Sequence, residues 1–342
     1  MRGTALEITN RFETRSYSAF DDEWGTITEE LPVVQTQFFN DHSKSIISKN
    51  DSPDIGMMYS INVYRGCEHG CAYCYARPSH EYLGFNSSID FESKIMVKHD
   101  APALLREAFD NPKWEPTSIM MSANTDCYQP AERKFGLTRE MLKVFLEYRN
   151  PVSILTKNAL ITRDLDLIKE MASMNLISTM LSVTSLDPEL RQKLEPRTST
   201  AKMKYKAMEE LAKANVPVGI MVGPIIPGLN DNEVPKILER ASDAGATFHA
   251  HTILRLSYSI KDIFRDWLSK NFPEKAERVL KRVEMIRGGQ LNDSRFGTRM
   301  KGEGAYADFM HTLFHQMCEK YGLNHSRDFL RTDLFKRPGE LF

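Results

Sequence analysis

The sequence predicts an α/β protein built around a parallel sheet, and three observations support this prediction. Six short, apolar, strand-like stretches recur along the chain, and helix-like stretches lie between most of them. This alternation is typical of βαβ units, in which a helix connects two parallel strands. With 342 residues, the chain can bury a sizeable core in one large domain. Six such units are too few for a closed barrel of eight.

The predicted strands and helices follow one another along the middle of the chain. The strands cover residues 58–63, 118–122, 152–156, 177–183, 216–222 and 248–254. The helices between them cover residues 140–148, 163–173, 201–214 and 233–244. Pro196 and Ser199 precede the third of these helices and are typical of a helix start.

The chain is predicted to have three parts. Residues 1–55 are polar, show little periodicity and form an extended N-terminal segment. Residues 56–258 contain the predicted sheet. Residues 259–342 form a helical C-terminal extension that packs on the sheet domain. Its apolar spacing predicts helices at 262–270, 274–286 and 306–320.

Composition excludes several classes of protein. The formal net charge is −1, so the chain as a whole does not attract nucleic acid, and any such site must be a local patch. No apolar run approaches the ~18 residues that a membrane span needs. The first twenty residues mix Arg with Glu and lack the apolar segment of a secretory signal. We therefore expect a cytoplasmic protein that contacts no membrane.

Three cysteines, Cys67, Cys71 and Cys74, lie in one short run with the spacing C-x3-C-x2-C. The chain has five cysteines, an odd number that does not suggest a disulfide framework. Three thiolates on one loop can bind a [4Fe–4S] cluster and leave one iron without a protein ligand. The alternative is a zinc site with His69 or His80 as the fourth ligand.

Polar residues follow the predicted strands, where active sites of parallel α/β barrels gather. The candidates at these strand ends are Ser122, Asn124, Asp126, Lys157, Ser182 and Arg197. Each also has a structural interpretation. Asp126 could cap a turn, Lys157 could be solvated, and Arg197 could pair with Glu195.

The cysteine loop resembles that of the radical S-adenosylmethionine (SAM) superfamily. Further blocks resemble a bacterial branch related to spore photoproduct lyase and often called "DNA repair photolyase". These blocks cover residues 49–55, 62–66, 74–78, 124–132, 224–231 and 287–304, within a similarity that extends from about residue 40 to about residue 322.

This resemblance implies a partial (β/α)6 TIM-like barrel, open on one side. It also implies that SAM chelates the open iron and is cleaved to a 5′-deoxyadenosyl radical, which takes hydrogen from the substrate. A small reducing protein such as flavodoxin or ferredoxin would supply the electron.

The resemblance assigns roles to the candidate residues. Tyr73 would pack near the SAM adenine, and Lys157 and Ser182 match a lysine and a serine that contact SAM in the lyase. Lys157 and Arg197 suit the SAM carboxylate. Asn124 and Asp126 suit its ribose or amine, and Ser122 joins this cofactor-binding set.

Two catalytic candidates also come from the resemblance. In the lyase, a cysteine near the end of the second strand returns hydrogen to the product radical, and Cys127 lies a few residues after that position. Tyr75 corresponds to a lyase tyrosine. Its two interpretations are a radical relay and packing against the cluster loop.

The segment from Lys275 to Lys301 carries eight Lys or Arg against three acids. Its local charge predicts contact with a phosphate backbone through Arg287, Arg295, Arg299 and Lys301. The alternative is a structural plug whose arginines pair with acids of the barrel.

Taken together, these residues predict a radical SAM enzyme that acts as a lyase or repair enzyme on a nucleic-acid lesion. Modification of a peptide, a tRNA or a small metabolite by the same radical stays open. So does a zinc- or cluster-bearing nucleic-acid binding module without catalysis.

Overall fold

The computed structural model describes residues 2–4, 6, 8–12, 34–325 and 330–339. In this part of the chain the strands β1 to β10 are Gln37–Asn40, Ile47–Lys49, Tyr59–Ile61, Tyr64–Arg65, Lys94–Val97, Ile119–Met121, Val152–Thr156, Ile177–Ser182, Val218–Ile225 and Phe248–Ile253. The α-helices α1 to α12 are Ile89–Ser93, Ala101–Asp110, Glu132–Phe135, Leu137–Tyr148, Leu165–Ser173, Pro188–Leu194, Ala201–Lys213, Val234–Asp243, Ile260–Asn271, Pro273–Met285, Thr298–Lys301 and Ala305–Lys320. Short 3-10 helices cover Arg77–Leu83, Ala159–Asp164 and Asp231–Glu233.

The main sheet contains seven strands in the order β10-β9-β8-β7-β6-β3-β2. All neighbours are parallel except β2 and β3, which are antiparallel. The six predicted strands correspond to β3 and β6 to β10, in the predicted order. Within the described residues, β10 and β2 occupy opposite edges and the sheet does not close. The prediction of an α/β fold with a partial (β/α)6 barrel is confirmed.

The strand sequences explain their positions in the sheet. In β7, Val152, Ile154 and Thr156 are buried, and the two residues between them are partly exposed. This alternation follows from the two-residue period of a strand. Strand β8 is buried at nearly every position, as expected of a central strand covered on both faces. Both strands therefore bury apolar side chains in the core.

The helices between the strands cover the sheet. In α4, Leu137, Met141, Phe145 and Tyr148 recur every three or four residues and are buried, so one face of the helix is apolar. Helix α7 begins at Thr200, whose hydroxyl accepts a hydrogen bond from the amide of Met203 at 3.3 Å. Such a cap satisfies one of the free amide groups at a helix start.

A second sheet was not predicted. It contains β1, β5 and β4 in that order, and β1 is parallel to β5. Strands β1 and β2 both come from the predicted N-terminal segment. They are three or four residues long and largely exposed, so they show too little apolar periodicity to be recognised. Residues 13–33 of that segment lie outside the described residues.

The C-terminal helices pack in two places. Helices α9 and α10 contact each other and bury Phe264 and Trp267, which stack at 5.4 Å. Helix α12 packs on α8 and on the edge strand β10, where Phe314 stacks on His251 at 4.0 Å. The predicted C-terminal helices are therefore present, whereas the boundaries of the three parts stay predictions. In the described residues no helix has the length and apolar character to cross a bilayer.

We expect Phe109→Ala to lower the free energy of unfolding by about 3–5 kcal/mol, because it empties a fully buried aromatic site. Phe109 is 0% exposed and contacts the rings of Trp114, Phe145, Tyr148 and Phe335. Urea denaturation followed by circular dichroism measures the change. The matched control, Phe309→Ala, removes a ring that is 59% exposed and should change stability by about 0.5 kcal/mol or less. Equal effects of the two substitutions would contradict this packing.

We also expect His251 to make stability depend on pH. Burial, with smaller effects of His311 and His249, lowers the pKa of His251 to about 4 from an ordinary value of 6.5. The unfolded chain therefore binds a proton that the folded chain does not, and stability falls as pH drops from about 6.5 to about 4.

His251→Gln should reduce this loss, measured as the difference in unfolding free energy between pH 7 and pH 5. The control His315→Gln changes a side chain that is 74% exposed. Its unfolding free energy should fall between pH 7 and pH 5 by as much as that of the unsubstituted protein. If the two variants lose stability equally between these pH values, His251 is not the source of the pH dependence.

Candidate active site

The cysteine loop follows β4 and is fixed to two neighbouring elements. The amide of Cys67 donates to the carbonyl of Phe91 in α1 at 2.8 Å. The amide of Ala72 donates to the carbonyl of Leu194 at the end of α6 at 3.0 Å. Both ends of the loop are thus tied to helices by main-chain hydrogen bonds, which fix the positions of the thiols.

Two glycines allow the loop to adopt this path. Gly66 and Gly70 have φ values of +79° and +66°, in the left-handed region that disfavours side chains. A Cβ atom at Gly70 would lie 2.6 Å from a carboxylate oxygen of Glu92. The close approach of the loop to Glu92 therefore requires glycine at this position.

A buried ion pair fixes the cysteine loop to α1. Arg77 and Glu92 are both 0% exposed, and their side chains are 2.5 Å apart. The Arg77 guanidinium also donates to the carbonyls of Cys71 at 2.9 Å and Ser88 at 2.8 Å. One side chain thus connects the second cysteine to the beginning of α1.

Gln129 connects the loop to the residues that follow β6. Its side-chain oxygen accepts from the amide of Glu68 at 2.8 Å, and its nitrogen donates to the carbonyl of Gly66 at 3.1 Å. The side chain is fully buried. It uses both halves of its amide to fix the loop against the carboxyl end of the sheet.

The three loop cysteines carry free thiols. Cys67 and Cys71 are buried, and Cys74 is half-buried. Burial raises the pKa values of all three thiols. A thiolate at any of these positions therefore needs a positive partner, and iron ions would supply that charge.

This donor set fits a [4Fe–4S] cluster, whose iron ions are ligated by separate thiolates. Among the described residues, no group of three or more His, Cys, Asp or Glu side chains is arranged to hold a metal ion. In a cluster each thiolate binds a different iron, so the sulfur atoms need not converge on one point. The assignment of Cys67, Cys71 and Cys74 as cluster ligands stays a prediction.

His69 and His80, the two histidines considered as a fourth zinc ligand, are both buried. His69 is buried, with one ring nitrogen 3.4 Å from the Asp126 carboxylate and the other 3.4 Å from the Asn158 amide. His80 is also buried, and its ring packs against Phe85 and Phe91.

Lys157, directly after β7, lies among acceptors from three other segments. Its ammonium is 2.6 Å from the Ser182 hydroxyl, 3.2 Å from the Gly223 carbonyl and 3.2 Å from the Glu195 carboxylate. Ser182 ends β8, and Gly223 lies in β9. The structure thus places the two predicted SAM contacts, Lys157 and Ser182, side by side.

Glu195 is the centre of this polar group. It is fully buried, and its carboxylate accepts hydrogen bonds from the hydroxyls of Tyr73 and of Thr184, the latter at 2.6 Å. A second lysine, the fully buried Lys204, lies 3.5 Å from the carboxylate. Burial alone would raise the pKa of Glu195, but Lys157 and Lys204 hold that pKa well below its ordinary value. The carboxylate is therefore ionised, and Tyr73 is oriented by it.

Asp126 lies next to this group and accepts several hydrogen bonds. Its carboxylate accepts from the Thr156 hydroxyl and the Lys157 amide at 2.7 Å each, and from the Tyr128 amide at 2.9 Å. Burial opposes ionisation, yet the neighbouring His69 and these donors lower the pKa of Asp126. Asp126 thereby joins the ends of β6 and β7. Its predicted contact with SAM stays a prediction.

The other two candidates after β6 differ in exposure. Ser122 has a φ of +73°, and its hydroxyl accepts from the amide of Cys127 at 2.9 Å. Asn124 is exposed, and its own amide donates to the side chain of Asn62 at 2.8 Å. Ser122 shapes the turn, whereas Asn124 presents its side chain to solvent.

The Arg197 side chain has partners outside the group around Lys157. Its guanidinium is 3.0 Å from the Glu68 carboxylate and 3.5 Å from the Thr36 hydroxyl. The alternative partner considered from the sequence, Glu195, instead faces Lys157 and Lys204. The structure does not bring Arg197 to the group around Lys157, and its role at the SAM carboxylate stays a prediction.

The two catalytic candidates have opposite environments. Cys127 is 1% exposed and belongs to the main hydrophobic core. Tyr75 is 59% exposed, and its hydroxyl donates to the carbonyl of Ala123. The hydrogen-donor role of Cys127 and the catalytic role of Tyr75 stay predictions.

The arginines of the basic segment contact other parts of the chain. Arg287 is buried and donates to the carbonyls of Ile253 and Leu254 at 3.0 and 2.9 Å. Arg299 pairs with Asp54 at 2.5 Å. Arg295 pairs with Asp293 and Glu303, and Lys301 is exposed. Arg287 thus joins the segment to the end of β10, whereas the acids paired with Arg295 and Arg299 lie outside residues 56–258. The structural plug and contact with nucleic acid both stay predictions.

Several residues of the site were not found from the sequence. Glu92 and Lys204 act through contacts that join distant segments, and no local motif marks them. Arg77 and Gln129 lie in the resembling blocks 74–78 and 124–132, but those blocks alone do not indicate a role for either side chain. Lys204 did carry one signal. It lies on the buried face of α7, directly before Tyr205 and four residues before Met208, where a lysine needs a buried partner.

Comparison with known proteins identifies the class. The sequence model of the radical SAM superfamily matches residues 61–241, which include the cysteine loop and the strand-end residues. The chain belongs to the radical SAM superfamily. Members of this superfamily use SAM and a [4Fe–4S] cluster, so membership implies both cofactors for this chain.

Two curated relatives are both named as uncharacterized proteins. An uncharacterized protein of Mycobacterium tuberculosis is 36% identical over 64% of this chain, and the match covers 65% of that protein. The chain thus spans slightly less than two thirds of this relative's length. An uncharacterized protein of Methanocaldococcus jannaschii is 31% identical over 66% of this chain and 80% of its own length.

Solved structures show the same fold. A doubly substituted spore photoproduct lyase with bound AdoMet and dinucleoside spore photoproduct superposes with a TM-score of 0.61 and 17% identity. The match covers 84% of this chain and 80% of that one. A second lyase structure, complexed with dinucleoside spore photoproduct, gives a TM-score of 0.60 at 15% identity. The particular fold is therefore that of spore photoproduct lyase.

We expect Glu195→Gln to lower the free energy of unfolding by about 3–5 kcal/mol, because it leaves the buried Lys204 and the half-buried Lys157 without a carboxylate. The control Glu189→Gln removes a carboxylate that is 71% exposed and pairs with Lys193. It should change stability by about 0–1 kcal/mol. Urea denaturation at neutral pH compares the two, and a Glu195 effect as small as that of the control would refute the buried charge network.

Proposed function

We propose that this chain is a radical SAM enzyme that cleaves SAM reductively and uses the resulting radical on a substrate. The observation that carries the proposal is the position of three free thiols on one rigid loop at the carboxyl end of a parallel sheet. The thiol of Cys71 lies close enough to Lys157 and Glu195 for their charges to interact. The superfamily match over residues 61–241 supports the same conclusion.

Cys67, Cys71 and Cys74 would hold the [4Fe–4S] cluster, and SAM would bind its fourth iron. Together the two cofactors supply the electron transfer and sulfonium cleavage that generate a 5′-deoxyadenosyl radical. The protein supplies position and shielding from water. A small reducing protein of the flavodoxin or ferredoxin kind would deliver the electron.

The residues around Glu195 would prepare the SAM site. Glu195 fixes the Tyr73 hydroxyl, and the Tyr73 ring lies 5.7 Å from the Lys157 ammonium. Lys157 already has three acceptors, so a bound carboxylate would replace one of them. Release of the weaker contact with the Gly223 carbonyl, at 3.2 Å, leaves Ser182 and Glu195 to hold the ammonium in place.

For the substrate, we propose a lesion or modified base in nucleic acid, on which the enzyme acts as a lyase. The shared fold with lyase structures that hold a dinucleoside supports this choice. Lys301, exposed at the end of α11, could contact a phosphate.

Anaerobic reconstitution tests the proposal. We expect about four irons and four sulfides per chain, and 5′-deoxyadenosine should form from SAM after reduction. Cys67→Ala, Cys71→Ala and Cys74→Ala should each lower iron content and abolish SAM cleavage, because the cluster then lacks a thiolate.

Cys318→Ala is the matched control, since Cys318 is a free, buried cysteine in α12. Its iron content and SAM cleavage should equal those of the unsubstituted protein. Stoichiometric zinc without iron, or full iron content in the loop variants, would refute the proposal.

A further inference from the structure

A cleft, which we call the α7 cleft, lies between α6, α7 and α8, beside the turn that follows β8. Its volume is about 710 Å³, and small-molecule sites in proteins have volumes of ~300–1,000 Å³. Apolar groups form much of its wall, including the side chains of Leu186, Pro188 and Tyr205. The residues that line it include none of the three loop cysteines and none of the predicted SAM contacts. The α7 cleft is therefore separate from the candidate active site.

Arg191, on α6, is fixed in the wall of this cleft. The side chain is half-buried, and its Nη1 atom donates to the main-chain carbonyls of Glu195 at 3.4 Å and Thr198 at 3.2 Å. Its Nε atom is buried without a hydrogen-bond partner. A buried donor without an acceptor is destabilising, and hydrogen bonds from charged groups are among the stronger ones. The guanidinium is thus held in place while part of its capacity to donate hydrogen bonds stays unused.

Three more cations line the cleft, namely Lys202 and Lys206 on α7 and Arg240 on α8. All three side chains are exposed. Within the part of the chain that the structure describes, Lys202, Arg240 and Arg191 form no ion pair with a carboxylate. Lys206 lies 3.8 Å from Glu210, a separation at which an exposed pair contributes little. Most of the positive charge at the cleft therefore has no close counterion.

Three carboxylates also line the cleft, those of Asp187, Glu209 and Asp243, so four cations and three anions give it a net charge of +1. Two of these carboxylates have partners outside this set of cations. Asp187 accepts from the amide of Glu189 at 2.8 Å and thereby caps α6. Glu209 lies 3.9 Å from Lys213. These contacts leave the cleft with a positive charge that suits an anionic ligand.

We propose that the α7 cleft binds a small organic phosphate of the nucleoside monophosphate class. The phosphate contacts Arg191, Lys202 and Arg240, and the apolar body of the ligand packs against Leu186 and Tyr205. Guanidinium groups match the geometry of phosphate oxygens, and an aromatic ring offers a large apolar surface to a planar group. A neutral molecule would leave the cations without a counterion. This site is additional to the proposed function and requires neither the cluster nor SAM.

The test is calorimetric titration of the reconstituted, unreduced full chain with uridine 5′-monophosphate, in the absence and in the presence of saturating SAM. One nucleotide should bind per chain, with the same affinity in both conditions. Arg191→Gln should weaken binding about tenfold or more, because it removes a charged hydrogen-bond donor. Uridine and inorganic phosphate should each bind about tenfold or more weakly, because uridine lacks the charge and phosphate lacks the apolar body.

A second variant covers the case in which Arg191→Gln does not fold. The Lys202→Gln and Arg240→Gln double variant changes two exposed side chains, so we expect it to fold. It should weaken binding by about 2- to 25-fold, the combined effect of two exposed ion pairs. The matched control is the Lys169→Gln and Arg265→Gln double variant. It removes the same charges from exposed positions of α5 and α9 and should leave binding unchanged.

Four results would overturn the site in the α7 cleft. The first is failure of the unsubstituted protein to bind uridine 5′-monophosphate. The second is displacement of this nucleotide by SAM, because the nucleotide would then occupy the SAM site. The third is binding of uridine or inorganic phosphate as tight as that of the nucleotide. The fourth is equal binding by the two double variants.

Discussion

The buried pair of Arg77 and Glu92 is the contact on which the candidate site depends. Moving two charges into a protein interior is costly unless they pair closely and their other donors and acceptors are satisfied. Here the guanidinium also binds the carbonyls of Cys71 and Ser88, and Glu92 accepts from the amide of Gly3 at 2.8 Å. Removal of either partner would leave the other charge buried and unpaired next to the cysteine loop. The positions of the thiols therefore follow from the stability of this pair.

A second group of charged side chains lies around the buried carboxylate of Glu195, near the carboxyl ends of the strands. Glu195 balances Lys157 and Lys204, and these contacts join the end of β7 and the end of α6 to α7. Asp126, through His69, and Gln129, through Glu68, then connect the end of β6 to the cysteine loop. The two groups place a thiol-rich loop against ionised, oriented side chains. This arrangement suits a cluster and a charged cofactor, as membership in the radical SAM superfamily implies.

The sequence predicted the parallel sheet because its strands are apolar runs separated by amphipathic helices. It did not predict β1, β4 and β5, which are two to four residues long and owe their pairing to each other. The cysteine loop was found because its ligands are adjacent in sequence. Glu195 was considered only as a partner of Arg197, since its pairing with Lys204 depends on how α7 packs.

Electron paramagnetic resonance of the reduced, reconstituted protein, recorded with and without SAM, will show whether the loop cysteines hold a cluster with one iron open to SAM. We expect the signal of a reduced [4Fe–4S] cluster whose g values shift when SAM is added, because SAM changes the ligands of one iron. The absence of an iron–sulfur signal, or a signal that SAM leaves unchanged, would show that the loop does not hold such a cluster.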